Sequence, residues 1–208
     1  MAPKKSGKQE KKAKDEKKSA KTPGKESAKT SVKAEQSPPP KTVTMSAHMS
    51  KTELLEYFAT NGINYDNVDH PEVFTVDAMM PYVKHLDGAI CKNLFLKDKQ
   101  KNYYLLSAKH DREIKLNDLS KKVGVKDLRF GAEDDMFAML GVRQGCVTAY
   151  ALVNDTEKRV KFLVDTQLVD GSHGHVSFHP MVNTATTKIS TEDFNKFLSL
   201  TKHNVIKF

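Results

Sequence analysis

A lysine interrupts an otherwise apolar run in Ile90-Cys91-Lys92-Asn93-Leu94-Phe95-Leu96-Lys97. Residues of a strand alternate faces, so Ile90, Lys92, Leu94 and Leu96 share one side. An ammonium there either snorkels to water from an edge strand or faces a cavity that receives an anion, because burying it unpaired is costly. A second segment, Val176-Ser177-Phe178-His179-Pro180-Met181-Val182-Asn183-Thr184, sets a histidine at a strand end against a proline. That imidazole is either a structural turn residue or part of a binding wall. No neighbour in sequence orients it as a general base, so binding is the preferred role.

Two further constellations are weaker. His173, His175 and His179 could bring imidazoles together, with His175 and His179 on one face of an extended strand. No Cys or carboxylate stands at partner spacing, so no metal is assigned. Cys146, in Gly145-Cys146-Val147-Thr148-Ala149, lacks the nearby base that a thiolate nucleophile needs and reads as a small buried residue.

The run KNLFLKDK from Lys92 and the pattern HPxxN at His179, Pro180 and Asn183 resemble the signature of the YbaK/ProXp editing superfamily. These are aminoacyl-tRNA deacylases related to the insertion domain of bacterial prolyl-tRNA synthetase. The match runs over residues 50–208, and its form is close to the alanine-specific branch. The resemblance implies a free-standing hydrolase that deacylates mischarged alanyl-tRNA(Pro), with Lys92 as the catalytic residue. Its ammonium would hold the terminal phosphate of the tRNA or stabilise charge on the ester carbonyl, and both roles stay open. Asn93, Gly145, Thr148, His179 and Asn183 are implied as substrate-binding residues. Asn93 points away from the Lys92 face, so its backbone is the expected contact. Where the family has proline, this chain has Ala149, which loosens the expected selectivity. The implied partners are mischarged tRNA and prolyl-tRNA synthetase or a multi-synthetase complex, with no cofactor. Deacylation of serine, threonine, 2-aminobutyrate or cysteine is the alternative in the same fold. A non-catalytic tRNA-binding component of a synthetase complex is the alternative from another class.

The elements that must position these residues read as mixed α+β, a single largely antiparallel sheet flanked by helices, as the resemblance also implies. Ser50 and Glu53 predict a capping box for a helix over 51–59. An extended stretch follows at 65–70. Thr75 or Asp77 then caps a second helix that Pro81 should shorten. Runs at 89–96 and 103–108 predict a hairpin around a charged turn. Asn117 is expected to cap a helix through Val123, a short strand to lie near Leu128, and a helix to span 134–140. The β-rich runs 147–153 and 160–164 predict another hairpin. Strands at 175–178 and 186–189, a helix capped by Ser190 and an edge at 205–208 complete the reading.

Charge divides the 208 residues unevenly. Residues 1–44 hold 13 Lys against Glu10, Asp15, Glu16, Glu26 and Glu35, so that segment carries the whole net charge of +8. The remaining 164 residues balance at 21 basic and 21 acidic side chains. The tail lacks Ile, Leu, Phe, Tyr and Trp, so it cannot bury enough apolar surface to offset chain entropy and is expected to be disordered. Its lysines, Lys4, Lys5, Lys8, Lys11, Lys12, Lys14, Lys17 and Lys18 among them, suit non-specific contact with RNA phosphates. A solubility tail and a nuclear address are the competing readings. The domain division is therefore a tail, 1–44, ending in a Pro-rich linker, and a deacylase domain, 45–208. No apolar run is long enough to span a bilayer, so no membrane partner is expected. Two cysteines, read as reduced thiols, fit a cytoplasmic location.

Overall fold

Ser50 and Glu53 cap each other reciprocally and open helix α1 (Lys51–Thr60), in the computed structural model that describes residues 48–208. The tail and its lysines Lys4, Lys5, Lys8, Lys11, Lys12, Lys14, Lys17 and Lys18 lie outside the described residues. Strand β1 (Tyr65–Asp69) follows, and the Thr75 hydroxyl caps α2 (Val76–Val83). Pro81 removes one helical bond but does not end α2, which continues because Met79 and Val83 bury their side chains.

Strands β2 (Ala89–Lys97) and β3 (Tyr103–Lys109) form the expected hairpin. Asp98 holds its turn, accepting from the Gln100 and Asn102 N–H groups at 2.8 and 2.9 Å and from the Tyr104 hydroxyl at 2.9 Å. Helix α3 (Leu116–Val123) starts earlier than expected, with Lys115 rather than Asn117 at the cap position and no side-chain cap. Leu116 and Leu119 dock together on the same apolar cluster, which draws the first turn forward. Strand β4 (Arg129–Phe130) and α4 (Glu133–Leu140) come next.

The hairpin expected at 147–164 does not form. Residues Ala149–Asn154 make a 3-10 helix, whose first turn the Thr148 hydroxyl caps through the Tyr150 N–H at 3.3 Å. Ala149, Tyr150, Ala151 and Leu152 are all buried and pack into the main apolar cluster. The chain then runs through β5 (Val160–Val164), β6 (His175–Phe178), β7 (Ala185–Ser190), α5 (Thr191–Thr201) and β8 (Val205–Lys207).

All eight strands join one mixed sheet in the order β1-β7-β6-β2-β3-β5-β8, with β4 added beside β2. The β1/β7, β6/β7, β2/β3 and β2/β4 pairs are antiparallel, whereas β2/β6, β3/β5 and β5/β8 are parallel. One face packs against Leu54 and Phe58 of α1, Met136 and Leu140 of α4 and Phe194 and Phe197 of α5. The opposite face carries two smaller clusters, one under α2 and one under α3. Among the described residues, no helix is long and apolar enough to cross a membrane.

Candidate active site

Strand β2 changes partner halfway along one edge. Its Ala89 and Ile90 pair with β6, its Leu96 and Lys97 with β4, and among the described residues no strand pairs with 91–95 on that side. The Ile90 carbonyl accepts from His110 on the β3 side, while the Phe95 carbonyl accepts from Gly131 on the other. Backbone groups alternate along a strand, so Asn93 turns its N–H and C=O towards the unpaired edge. This notch opens into a cleft of about 570 Å³, floored by residues 91–95. Phe74, Thr75, Val76 and Met79 form one wall, and Phe130, Gly131, Glu133 and Met136 another. Gln144, Gly145, Val147 and His179 close it.

Lys92 stands at a seam. Ile90 on its face belongs to the cluster under α2, and Leu94 and Leu96 to the cluster under α3. Small Ala108 lies opposite, leaving space for the aliphatic stem. The half-buried ammonium donates to the carbonyl of Arg112, so two of its three N–H groups remain for a ligand. On the opposite face Asn93 accepts from the buried Ser107 hydroxyl at 2.6 Å, which leaves its amide N–H donors for the cleft it lines.

His179 donates from Nδ1 to the Ala185 carbonyl at 2.8 Å, because a carbonyl can only accept. Its Nε2 is therefore an acceptor as long as the ring is neutral. Burial pushes the imidazole below its ordinary pKa, the Ala185 bond opposes that, and nearby His70 lowers it further. His70 is itself held, Nδ1 donating to the Pro71 carbonyl at 2.9 Å and Nε2 lying 3.0 Å from the Thr186 hydroxyl.

The structure brings Lys92, Asn93, Gly145 and His179 together around the cleft, but not Thr148 or Asn183. Thr148 is fully buried and serves as the cap described above. Asn183 is buried behind the loop. Its carbonyl accepts from the Val73 N–H at 3.2 Å, and its amide lies 3.5 Å from where a Gly145 Cβ would stand. Sequence reasoning overlooked Phe74, Met79, Phe130 and Met136; the only local signals were an aromatic one residue before a helix cap and another before a glycine.

The histidines diverge. His179 lines the cleft, whereas His175 lies 2.8 Å from Asp87 beside a separate groove. Among the described residues no cluster of His, Cys, Asp or Glu is placed to hold a metal. That second groove is larger, about 720 Å³, but its cation Lys188 sits between Asp66 at 3.0 Å and Asp87 at 2.8 Å. An ammonium neutralised by two carboxylates offers little to an anion. Burial raises the thiol pKa of both Cys91 and Cys146, so neither is a ready thiolate.

The arrangement supplies one cation, exposed strand amides and a neutral imidazole acceptor in an apolar recess. It suits an ester or amide bearing both a negative and a positive group. A family model described as an aminoacyl-tRNA editing domain matches residues 70–197. The chain is 44% identical over 156 residues to prolyl-tRNA synthetase associated domain-containing protein 1 of Danio rerio, covering 75% of this chain and 85% of that protein. It is 36% identical over 138 residues to the prolyl-tRNA editing protein ProX of Acetoanaerobium sticklandii, covering 65% and 82%. A crystal structure described as a candidate trans-editing enzyme for prolyl tRNA synthetase shares the fold, with a TM-score of 0.58 at 18% identity over 76% of this chain and 96% of that one.

Proposed function

Because the chain belongs to the aminoacyl-tRNA editing domain family, we propose that it hydrolyses the ester of mischarged alanyl-tRNA(Pro) in trans. The observation that carries this reading is the notch in β2, where Lys92 and the Asn93 backbone meet in one cleft with His179.

In this reading the aminoacyl end enters the cleft and the ester lies against residues 92–93. A water oxygen attacks the carbonyl carbon, and the oxyanion that forms is stabilised by the Lys92 ammonium or an N–H of the open edge. Collapse breaks the bond to the ribose oxygen, which takes up a proton, releasing alanine and tRNA with a free hydroxyl. The alternative station for Lys92 is the terminal phosphate. Neutral Nε2 of His179 accepts from the ammonium of the aminoacyl group. No protein nucleophile is required, since the ester is already activated and positioning supplies much of the rate.

Size selection follows from the walls. A synthetase cannot strongly exclude a smaller amino acid, because a missing methylene is worth only about 1–3 kcal/mol. A second, smaller site rejects proline by volume. Met79 and Met136 make that site adaptable, and Ala149 starts a buried 3-10 turn where the family has proline. Both features favour a second reading, in which serine, threonine, 2-aminobutyrate or cysteine is also removed. Residues 1–44 would add non-specific affinity for tRNA phosphates, and prolyl-tRNA synthetase is the proposed partner.

The test is a deacylation panel of mischarged tRNAs with wild type and Lys92→Ala. Selective hydrolysis of alanyl-tRNA(Pro), lost in the variant, supports the proposal. Hydrolysis of none of them, with retention on a synthetase, favours a non-catalytic tRNA-binding role.

A further inference from the structure

The two most exposed large apolar side chains among the described residues are Phe74, at 70%, and Phe130, at 63%; the next, Tyr82, reaches only 40%. Both line the cleft that holds Lys92. From this coincidence we infer that Phe74 and Phe130 form a stacking site for the unpaired 3′-terminal nucleobase of an RNA. The inference rests on the editing reading for the choice of occupant, and it adds residues and a role that the fold did not require.

Each ring is fixed at its root and open on its face. Phe74 immediately precedes the α2 cap Thr75, and its ring edge lies 3.1 Å from where a Gly145 Cβ would stand. Phe130 sits on the two-residue strand β4, paired with Leu96, and is followed by Gly131, which leaves no room for a Cβ against the Phe95 ring. The two rings come from different elements and have different neighbours. Neither ring belongs to the apolar core clusters, so each presents an open face to solvent.

The charges beside these rings point to a nucleotide rather than an apolar peptide. Lys97 and Arg129 pair across β2 and β4 next to Phe130. Each has a carboxylate at ion-pair distance, Asp135 at 3.7 Å and Asp127 at 3.8 Å, while Arg143 lies 3.9 Å from Glu133 and 4.4 Å over the Phe137 ring. The exposed Arg129 and Arg143 heads, whose surface ion pairs are weak, can be re-partnered by phosphates, while the exposed rings accept any base through its π face. A base held at the mouth places its ribose, and hence an ester on that ribose, towards Lys92 on the floor.

The test measures binding of full-length protein to an uncharged RNA hairpin with a single-stranded 3′-terminal adenosine, beside the same hairpin with an abasic terminal residue. Wild type should bind the abasic RNA about 10-fold more weakly, the loss of one stacked base. Phe74→Ala and Phe130→Ala should weaken binding of the adenosine hairpin while losing the distinction from the abasic one. Phe74→Tyr and Phe130→Tyr should keep it. On charged tRNA the alanine variants should raise KM by a similar factor, with a much smaller change in kcat. Equal affinity of wild type for the two hairpins overturns the inference, as do alanine variants that weaken both hairpins equally. A shift in sedimentation of the alanine variants without a change in RNA binding overturns it too, since a second copy would then cover these rings. Because the hairpin carries no amino acid, base discrimination without any hydrolysis would sink the editing reading and leave this one standing.

Discussion

The ammonium of Lys92 donates to the backbone carbonyl of Arg112, and the Arg112 guanidinium is in turn held by the fully buried carboxylate of Asp165. The same guanidinium lies 5.3 Å from the centre of the Phe208 ring. Asp165 sits just beyond β5, and its Oδ1 also accepts from the Gln167 N–H at 3.2 Å, while Oδ2 has no hydrogen-bond partner among the described residues. The loop that receives the lysine is thus clamped from below, and the position of the cation depends on a pair that never enters the cleft.

Arg112→Ala should leave the Asp165 carboxylate buried without its cation and lower stability by about 3–5 kcal/mol. At a temperature where the variant stays folded, deacylation should fall mainly through kcat, because Lys92 loses its fixed station. Thermal melts and steady-state kinetics read the two effects separately, and Arg112→Lys should restore part of each.

Lys92→Ala should reduce single-turnover deacylation by about 100-fold or more, the usual cost of one contact to developing charge. Lys92→Arg should not restore it, because the planar guanidinium is broader than the ammonium and cannot occupy the seam between the α2 and α3 clusters in the same way.

Activity against pH follows from His179. Burial holds the folded imidazole below its ordinary value of 6.5, so it stays neutral through physiological pH. The rate should be flat there and fall in acid as the ring gains a proton and Nε2 ceases to accept. Stability has the same sign. The unfolded chain binds that proton more readily, so His179 favours the fold above the ordinary value and loses that contribution as pH falls towards the lowered one. A pH–rate profile of wild type beside His179→Gln checks the first statement, and urea titrations at neutral and acid pH check the second.

Gly145 has φ near +86°, where a side chain is strained, and its Cβ would meet Phe74 at 3.1 Å. Gly145→Ala should cost about 1–2 kcal/mol in backbone strain and push Phe74 from its place. Denaturant melts read the first effect and KM the second, with KM rising.

Removal of residues 1–44 should raise KM at low salt and flatten the dependence of log KM on log salt, with kcat nearly intact. Those residues carry the net charge of +8, and phosphate neutralisation scales with the number of cations engaged. Equal KM values for the short and full chains at low salt would contradict this.

Local signals were legible in the sequence, and long-range ones were not. Alternation alone put Lys92 on the face of Ile90 and Leu94, and the Ser50 and Ser190 caps located two helices, because each depends on residues within a turn or two. The stretch 149–154 misled, since its apolar residues are buried by helices and strands far away in the chain rather than by a pairing partner. Thr148 and Asn183 have the polarity of site residues, yet the Thr148 hydroxyl caps a turn and Asn183 braces its loop through the backbone carbonyl. The Arg112–Asp165 pair spans 53 positions and has no local pattern to announce it. Phe74 and Phe130 were invisible for a different reason: an exposed phenylalanine and a core one look the same until the walls around them are known.

The missing partner along residues 91–95 makes this pocket unusually sensitive to the parity of insertions. Adding two residues to that stretch would lengthen the gap between β6 and β4 while every side chain kept its face. Adding one would rotate the lysine to the far side of the sheet and bring an amide or thiol round in its place. Length changes in even steps are therefore the route by which this scaffold could be re-sized for bulkier acyl groups, and odd steps the route by which it would fall silent.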